Sequence, residues 1–432
     1  MRDFGTSDNP AVQAQLDRLA SLSQPQGRIG IVAVRELLAR LGDPQDRLPP
    51  VFHVAGTNGK GSTCAFLRAM LEAQGFKVHA TTSPHLVRYN ERIRIAGEQI
   101  EDAKLAALLQ EVLDTAEGLE VSFFETTIAT AFLAFSRHPA DACVVEVGLG
   151  GRLDATNVIA RSAVCGIATL GIDHERFLLA PEPGAPEEPL ARIAWEKAAI
   201  AKSSVPLVTQ AYPSEANREI VAMARRVGAP LFMRGHEWSA NCGASGFTYR
   251  DERVELEFPS PALPGAHQID NAMLAVAMLM HQDAVQVDAT AIGVGLRNVR
   301  WPARLQKLGP GSLTNFVPGR EVWLDGGHNA DAGAAIAAHF ADQRLHLILG
   351  MLSNKDPHAI TGPLQGQIVS LQVVPIPGHE HHGPEAFGPA SQAVATVQDA
   401  LAALPDDGMP VLICGSLYLA GDMLRLNEEL PD

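Results

Sequence analysis

A chain of 432 residues, 46% hydrophobic and 19% charged, is longer than one hydrophobic core normally serves and too apolar for extended disorder, so two globular domains are expected. The 34 Lys+Arg against 49 Asp+Glu leave a net charge of -15, which speaks against a general nucleic-acid or anionic-membrane surface and sends any anionic ligand to a local cluster of positive groups. No run approaches the roughly 20 apolar residues of a membrane span, the opening MRDFGTSDNPAVQAQL lacks a signal-peptide pattern, and the five cysteines are scattered without a C-x-x-C pair; a cytoplasmic protein with reduced core thiols is expected.

From Pro50 the chain repeats one theme, a short apolar run, a Gly-bearing turn and a longer helical pattern, which is the pattern of a parallel sheet with crossover helices. VFHVAG (51–56) reads as a buried strand and STCAFLRAMLEAQG (62–75) as a helix closed by Gly75. ACVVEVG (142–148), SAVCGIAT (162–169) and PLVTQ (206–210) are further strands. APEPGAPEEP (180–189) is a Pro- and Glu-rich loop, expected as a surface excursion. The alternation in GFTYRDERVELEF (246–258) predicts an antiparallel ribbon, and HQIDNAMLAVAMLMHQ (267–282) a buried helix. After WPARLQ (301–306) the theme restarts with EVWLDGG, LHLILGM, IVSLQVVPI and VLICGS. The expected division is therefore 1–298 and 299–432.

AGTNGKGST, Ala55 to Thr63, lies between the first strand and its helix. Glycines let backbone N–H groups approach phosphate oxygens, the helix N-terminus adds a favourable dipole, and Lys60 places an ammonium on the outer phosphates. Gly56, Thr57, Asn58, Gly59, Lys60, Gly61, Ser62 and Thr63 are the expected nucleotide-binding residues, with Ser62 or Thr63 presenting a hydroxyl to Mg²⁺. Against the usual G-x-x-x-x-G-K-[ST], Val54 stands where the first Gly belongs and Gly61 follows the lysine.

That variant resembles the loop of Mur ligases and folylpolyglutamate synthases. TTSPHLVRYNERI (81–93), EVGLGGRLDATN (146–157), GIDHE (171–175), WEKAAI (195–200), WPARLQ (301–306), LDGGHN (324–329), GMLSNKD (350–356) and CGSLYLAGD (414–422) follow in order. From about residue 27 to 422 the series resembles the bifunctional dihydrofolate synthase and folylpolyglutamate synthase family. The resemblance implies an α/β fold with a P-loop, Mur-ligase-like central domain on a parallel sheet and a smaller Rossmann-like C-terminal domain. It implies an ATP-dependent amide ligase that adds L-glutamate to dihydropteroate or to the glutamate tail of folates through an acyl phosphate. ATP and two Mg²⁺ ions would be its cofactors, with no nucleic-acid or membrane partner and a monomeric state. An enzyme that only extends existing folates and a P-loop ATPase switch are the alternatives.

Glu146 ends a strand where a carboxylate faces the nucleotide crevice and would hold Mg²⁺; a buried pair with Arg152 is the competing reading. By resemblance His174 is a second metal ligand, Ser83 reaches the metal from a mobile loop, and Lys197 is the lysine that CO₂ carbamylates. Taken alone, Lys197 also reads as an exposed helix residue paired with Glu196. Asp154 would accept hydrogen bonds from the aminopterin ring, with Phe124 beside it, and Arg92 and Arg94 would meet the acidic tail of the substrate. Asn271, at the start of a helix, would read adenine or cap that helix. Arg304, Asp325 and His328 are expected on the nucleotide, and Lys355 and Asp356 on the glutamate or phosphate side. The family usually has Gly at position 303 and Ala at 327, where this chain has Ala303 and Gly327. The His-rich run GHEHHG (378–383) reads as a polar loop. Lys60→Ala is expected to lose ATP affinity; a calorimetric titration matching the wild type would overturn the phosphate-loop reading.

Overall fold

Five consecutive buried residues, Val51–Ala55, form β1, and their burial on both faces marks a central strand of a parallel sheet. The computed structural model describes residues 5–22, 30–243 and 245–431, so positions 27–29, where the family resemblance begins, lie outside the described residues. The chain divides into two units. One runs to Ala262 and includes Ile269–Val299; the other holds Leu263–Gln268 and the chain from Arg300 onward.

The first unit is built on an eight-stranded sheet of order β4-β3-β2-β5-β1-β6-β7-β8. Its strands are β1, β2 (Val78–Thr81), β3 (Ile93–Ile95), β4 (Glu98–Gln99), β5 (Ala142–Glu146), β6 (Val164–Ile167), β7 (Leu207–Thr209) and β8 (Leu231–Met233). β1 pairs in parallel with β5 on one side and β6 on the other. The chain leaves β1 for β2 on one side and leaves β5 for β6 on the other, so the carboxyl ends of β1 and β5 flank the switch point at which α/β sheets place ligands. The expected parallel sheet is in fact mixed: β3 and β4 run antiparallel to their neighbours at one edge. Strands of two or three residues carry too little periodicity to be read from sequence.

The helices of this unit are α1 (Pro10–Ala20), α2 (Val32–Arg40), α3 (Lys60–Ala73), α4 (Asp102–Thr115), α5 (Phe123–Ser136), α6 (Glu175–Leu178), α7 (Pro189–Ala198), α8 (Ser214–Val227), α9 (Ala266–Met280) and α10 (Ala289–Asn298). Two caps define starts that the apolar pattern alone leaves vague. Asn9 accepts from Ala11 and Val12 N–H ahead of α1, and Ser122 with Glu125 closes a capping box on α5. Alternate residues of β1 serve opposite faces. Val51 joins a core with α1, α2, α4 and α5, and Ala55 one with α7 and α8. On the other face Gly166 of β6 admits the Met278 thioether of α9, where a Cβ would lie 2.3 Å from its sulfur. The ribbon has three strands, β9 (Trp238–Gly243), β10 (Gly246–Asp251) and β11 (Glu255–Pro259), one more than the alternation predicts.

The second unit is a six-stranded sheet of order β12-β13-β17-β14-β15-β16. It comprises β12 (Gln306–Lys307), β13 (Val322–Leu324), β14 (Leu345–Leu349), β15 (Ile368–Val373), β16 (Ser391–Ala393) and β17 (Val411–Cys414). All but β12 pair in parallel; α11 (Ala330–His339), α12 (His358–Leu364) and α13 (Val397–Ala402) lie between strands, and α14 (Leu417–Leu426) follows β17. Four cysteines are buried as expected, but Cys242 is exposed at the end of β9. No helix among the described residues is long and apolar enough to cross a membrane.

α3, which carries the phosphate loop, packs backbone to backbone against α10 at Gly295. A Cβ there would stand 2.5 Å from Met70 Cα and 2.6 Å from Met70 N. Alanine ordinarily improves a helix interior by about 1 kcal/mol over glycine. Here the steric term is larger, so Gly295→Ala is expected to lower stability by about 1–3 kcal/mol, read as the shift of the urea midpoint at unchanged m-value.

Candidate active site

β1 ends at Ala55 and α3 begins at Lys60, so Lys60, Gly61 and Ser62 lie in a first turn whose N–H groups have no intrahelical acceptor. Gly59 is the N-cap with φ +80, a left-handed conformation that suits glycine. A Cβ on Gly59 would fall 2.2 Å from Asn271 Oδ1, so the buried Asn271 abuts the loop. Asn271 lies within α9, which begins at Ala266, and this excludes the N-cap reading.

The loop is tied to the exit of β6. Thr57 N–H donates to Thr169 O at 2.8 Å, and the Thr57 hydroxyl donates to Gly171 O, also at 2.8 Å. Lys60 Nζ turns back onto Gly56 O at 3.0 Å and Thr57 O at 3.2 Å. Lys197 Nζ donates to the same Gly56 carbonyl at 2.9 Å. Two ammonium groups thus share one backbone oxygen. Ser62 and Thr63 are buried, and Thr63 Oγ1 has no hydrogen-bond partner.

Lys197, in the last turn of α7, is only 3% exposed, which removes the exposed-lysine reading; the Glu196 carboxylate instead takes Arg152 Nη2 at 2.9 Å. Burial first, and then the Lys60 charge, push the Lys197 ammonium down to about 7, against the opposing pull of Asp173, Asp154 and Glu196. Arg152 pairs with Glu182 and Glu196, so the Glu146–Arg152 pair is not formed.

Glu146 ends β5 level with Val54 of β1. Its Oε2 accepts from Ser83 N–H at 3.1 Å, which brings the TTSPHL loop to the carboxylate. That loop is shaped by Glu91, whose carboxylate accepts from the N–H groups of Leu86, Val87 and Arg88. Arg92, expected on the acidic tail of the substrate, is fully buried and donates from Nε to His85 Nδ1 at 2.8 Å. Arg94 bonds Gly97 O. His174 has φ 55 and lies three residues beyond Gly171, the residue bonded to Thr57. Its neighbour Asp173, unnamed by sequence reasoning, is within electrostatic reach of Lys197.

Among the described residues no group of three or more His, Cys, Asp and Glu is placed to hold a metal. Glu146 ends β5 against the Ser83 N–H, and the first turn of α3 carries the Ser62 and Thr63 hydroxyls, with Thr63 Oγ1 left partnerless; all of these side chains offer hard oxygens. Magnesium is commonly held in this way, through one or two carboxylates, water and substrate phosphate rather than an all-protein cage. The residues present therefore fit it.

Phe124 and Asp154 meet across Gly148. A Cβ on Gly148 would lie 2.3 Å from Phe124 Cζ, so the half-buried ring rests on bare backbone. Asp154 is buried and accepts from Leu149 N–H at 2.8 Å, Thr156 N–H at 3.0 Å and the Thr156 hydroxyl at 2.5 Å. Burial raises its pKa, while these donors pull it back down. Gly151 lets this loop touch α7, where a Cβ would lie 3.0 Å from Lys197 Cα. The expected surface excursion packs more closely than the sequence suggests: Leu178 reaches Gly150, and Glu182 pairs with both Arg152 and Arg192.

In the second unit Asp325 is an organiser of backbone. Its carboxylate accepts from Leu305 N–H at 2.7 Å and Gly327 N–H at 2.6 Å, joining the WPARLQ and LDGGHN turns. Arg304 Nη1 bonds Ala303 O, and His328 Nδ1 faces Gly326 O. Ala303 has φ 53, the left-handed region, and this accounts for the glycine that the family usually has there. Asp356 accepts from His358 N–H ahead of α12. Lys355 O faces His382 Nε2 at 2.8 Å, so the His-rich run packs on the SNKD turn.

The dihydrofolate synthase/folylpolyglutamate synthase of Bacillus subtilis is 32% identical over 434 residues, covering 92% of this chain and 94% of its own. Among solved structures, Escherichia coli FolC in complex with DHPP and ADP matches with a TM-score of 0.84 at 28% identity, covering 98% of each chain. A bifunctional folylpolyglutamate synthase/dihydrofolate synthase with Mn, AMPPNP and L-glutamate bound matches with a TM-score of 0.83 at 27% identity, over 98% of this chain and 99% of that one. No protein-family model matches the sequence.

Gly59→Ala combines a disfavoured φ with a clash on Asn271. It is expected to weaken ATP binding by about tenfold or more, since a displaced loop loses one or more charge-assisted hydrogen bonds; calorimetric titration beside a thermal melt checks this.

Proposed function

The chain belongs to the dihydrofolate synthase/folylpolyglutamate synthase family, and from that membership we propose that its first unit activates a pteroate or folate carboxylate with ATP for attack by glutamate. The observation that carries the assignment of residues is the shared Gly56 carbonyl. It brings Lys60 of the phosphate loop and the buried Lys197 to one point, just beyond Val54 of β1, which lies level with Glu146 of β5.

The substrate carboxylate oxygen takes the γ-phosphoryl group and ADP departs. The glutamate amine then attacks the acyl carbon, loses a proton, and phosphate leaves from the tetrahedral intermediate as the amide forms. In this reading Lys60 exchanges its bonds to Gly56 and Thr57 carbonyls for phosphate oxygens, and the N–H groups of the first turn of α3 receive the remaining charge. Bound Mg²⁺ neutralises charge on the transferring group, and Glu146, Ser83, Ser62 and Thr63 are the residues that would hold it.

A second ion, at His174 and a carbamylated Lys197, belongs to the same proposal. Carbamate formation needs a neutral amine, which bonds the carbon of CO₂ and releases a proton; a lysine lowered to about 7 supplies that form at neutral pH. Asn271 is assigned to the base of the nucleotide, and Asp154 with Phe124 to the pterin, which favours an enzyme that accepts dihydropteroate as well as folates. For the second unit, Arg304, Asp325 and His328 keep their assignment to the nucleotide, and Lys355 and Asp356 theirs to glutamate or phosphate. The proposal takes the enzyme as a cytoplasmic monomer.

A coupled ADP assay tests this. ADP release is expected only with glutamate plus an acceptor, and with both dihydropteroate and tetrahydrofolate. Release without either carbon substrate would point to an ATPase switch, and release with tetrahydrofolate alone to an extending enzyme. Lys197→Ala is expected to lower turnover about 100-fold or more, the scale of losing one preorganised electrostatic group; undiminished turnover would remove Lys197 from the site.

A further inference from the structure

We propose that His53 is a positioning residue for the acceptor, acting through Thr156 to fix the donor on Asp154 and so the orientation of that carboxylate. The inference rests on the assignment of Asp154 to the pterin. His53 lies at the middle of β1, level with Val145 of β5 and Cys165 of β6, and is fully buried. An aliphatic residue is the ordinary occupant of such a position.

His53 Nε2 lies 2.9 Å from Thr156 Oγ1, and that hydroxyl lies 2.5 Å from Asp154 Oδ1. A carboxylate that already receives two backbone N–H groups acts as an acceptor, so the single Thr156 hydroxyl proton points to Asp154. His53 must then donate from Nε2. Its Nδ1 is buried with no partner, so a second proton would be an unpaired donor in the core, and the ring is held as one neutral tautomer. Burial, followed by the Lys202 charge, pushes His53 down to about 3, in keeping with a neutral ring. The chain therefore runs from imidazole N–H to threonine O–H to carboxylate, each link polarising the next. It ties the strand that delivers the phosphate loop to the loop that presents Asp154. Without the His53 donor, Thr156 Oγ1 loses an incoming bond and is free to turn from Asp154.

The test is steady-state kinetics for dihydropteroate and for ATP on the unaltered enzyme and five variants, His53→Leu, His53→Gln, Thr156→Val, Asp154→Asn and the His53→Leu/Thr156→Val double variant. His53→Leu is expected to raise the dihydropteroate KM about 5- to 20-fold, the scale of one lost hydrogen bond, with the ATP KM within about twofold. His53→Gln keeps an N–H donor and should recover most of the loss. Thr156→Val should match His53→Leu, and combining the two should add little, as expected for members of one chain. Thr156→Val also decides the matter if His53→Leu does not fold. An unchanged dihydropteroate KM in His53→Leu and Thr156→Val, with Asp154→Asn raising it, sinks the His53 inference alone. A parallel rise in ATP KM makes His53 a general structural residue and overturns it as well. If Asp154→Asn leaves the dihydropteroate KM unchanged, the acceptor assignment fails and the inference falls with it.

Discussion

An ammonium group buried in protein loses its hydration and is tolerated only where carbonyls or carboxylates replace the water. Lys197 is such a group, and its Gly56 acceptor belongs to the phosphate loop. The last turn of α7, the loop between β1 and α3, and the loop that presents Asp154 therefore come together around one charge. Lys60 bonds the same carbonyl and makes the charge harder to keep, while Asp173, Asp154 and Glu196 make it easier. The balance leaves a lysine close to neutrality near physiological pH, and its environment depends on residues drawn from four separate sequence segments.

The surroundings of that charge are built largely from backbone. Thr57 is bonded to Thr169 and Gly171, Ser83 N–H to Glu146, and the Gly148 and Gly151 backbones lie against Phe124 and α7. Preorganised backbone groups cost little further ordering when a ligand arrives. Glycines at contact points let main chain and side chain approach where a methyl group would hold them apart.

Much of this was legible in the sequence because it is local. The strand, turn and helix around Lys60 follow from an apolar run, a glycine cluster and a 3.6-residue pattern within 25 positions. Short edge strands escaped because two or three residues establish no period. The helix predicted over 267–282 begins at Ala266, directly after Gly265 at φ +99, which places Asn271 inside α9 rather than at its cap. Asp173, Thr169 and His53 carry no sequence signal, since each owes its place to chain folding back over a distance that no spacing rule covers; Glu91 acts locally, on N–H groups three to five residues back, in a turn whose sequence shows no standard capping pattern. Lys197 shows the limit most clearly: its helical pattern fits an exposed residue, and only the tertiary structure shows the carbonyl it reaches.

The excursion between α6 and α7 holds one further consequence. Glu182 grips two arginines, Arg152 and Arg192, which both lie over the Trp195 ring. Chain on the far side of that glutamate, Pro183 to Glu187, is thereby mechanically insulated from Lys197. A change of length there leaves both ion pairs in place, whereas loss of the glutamate itself would slacken two guanidinium groups at once and reach Lys197 through its neighbour Glu196.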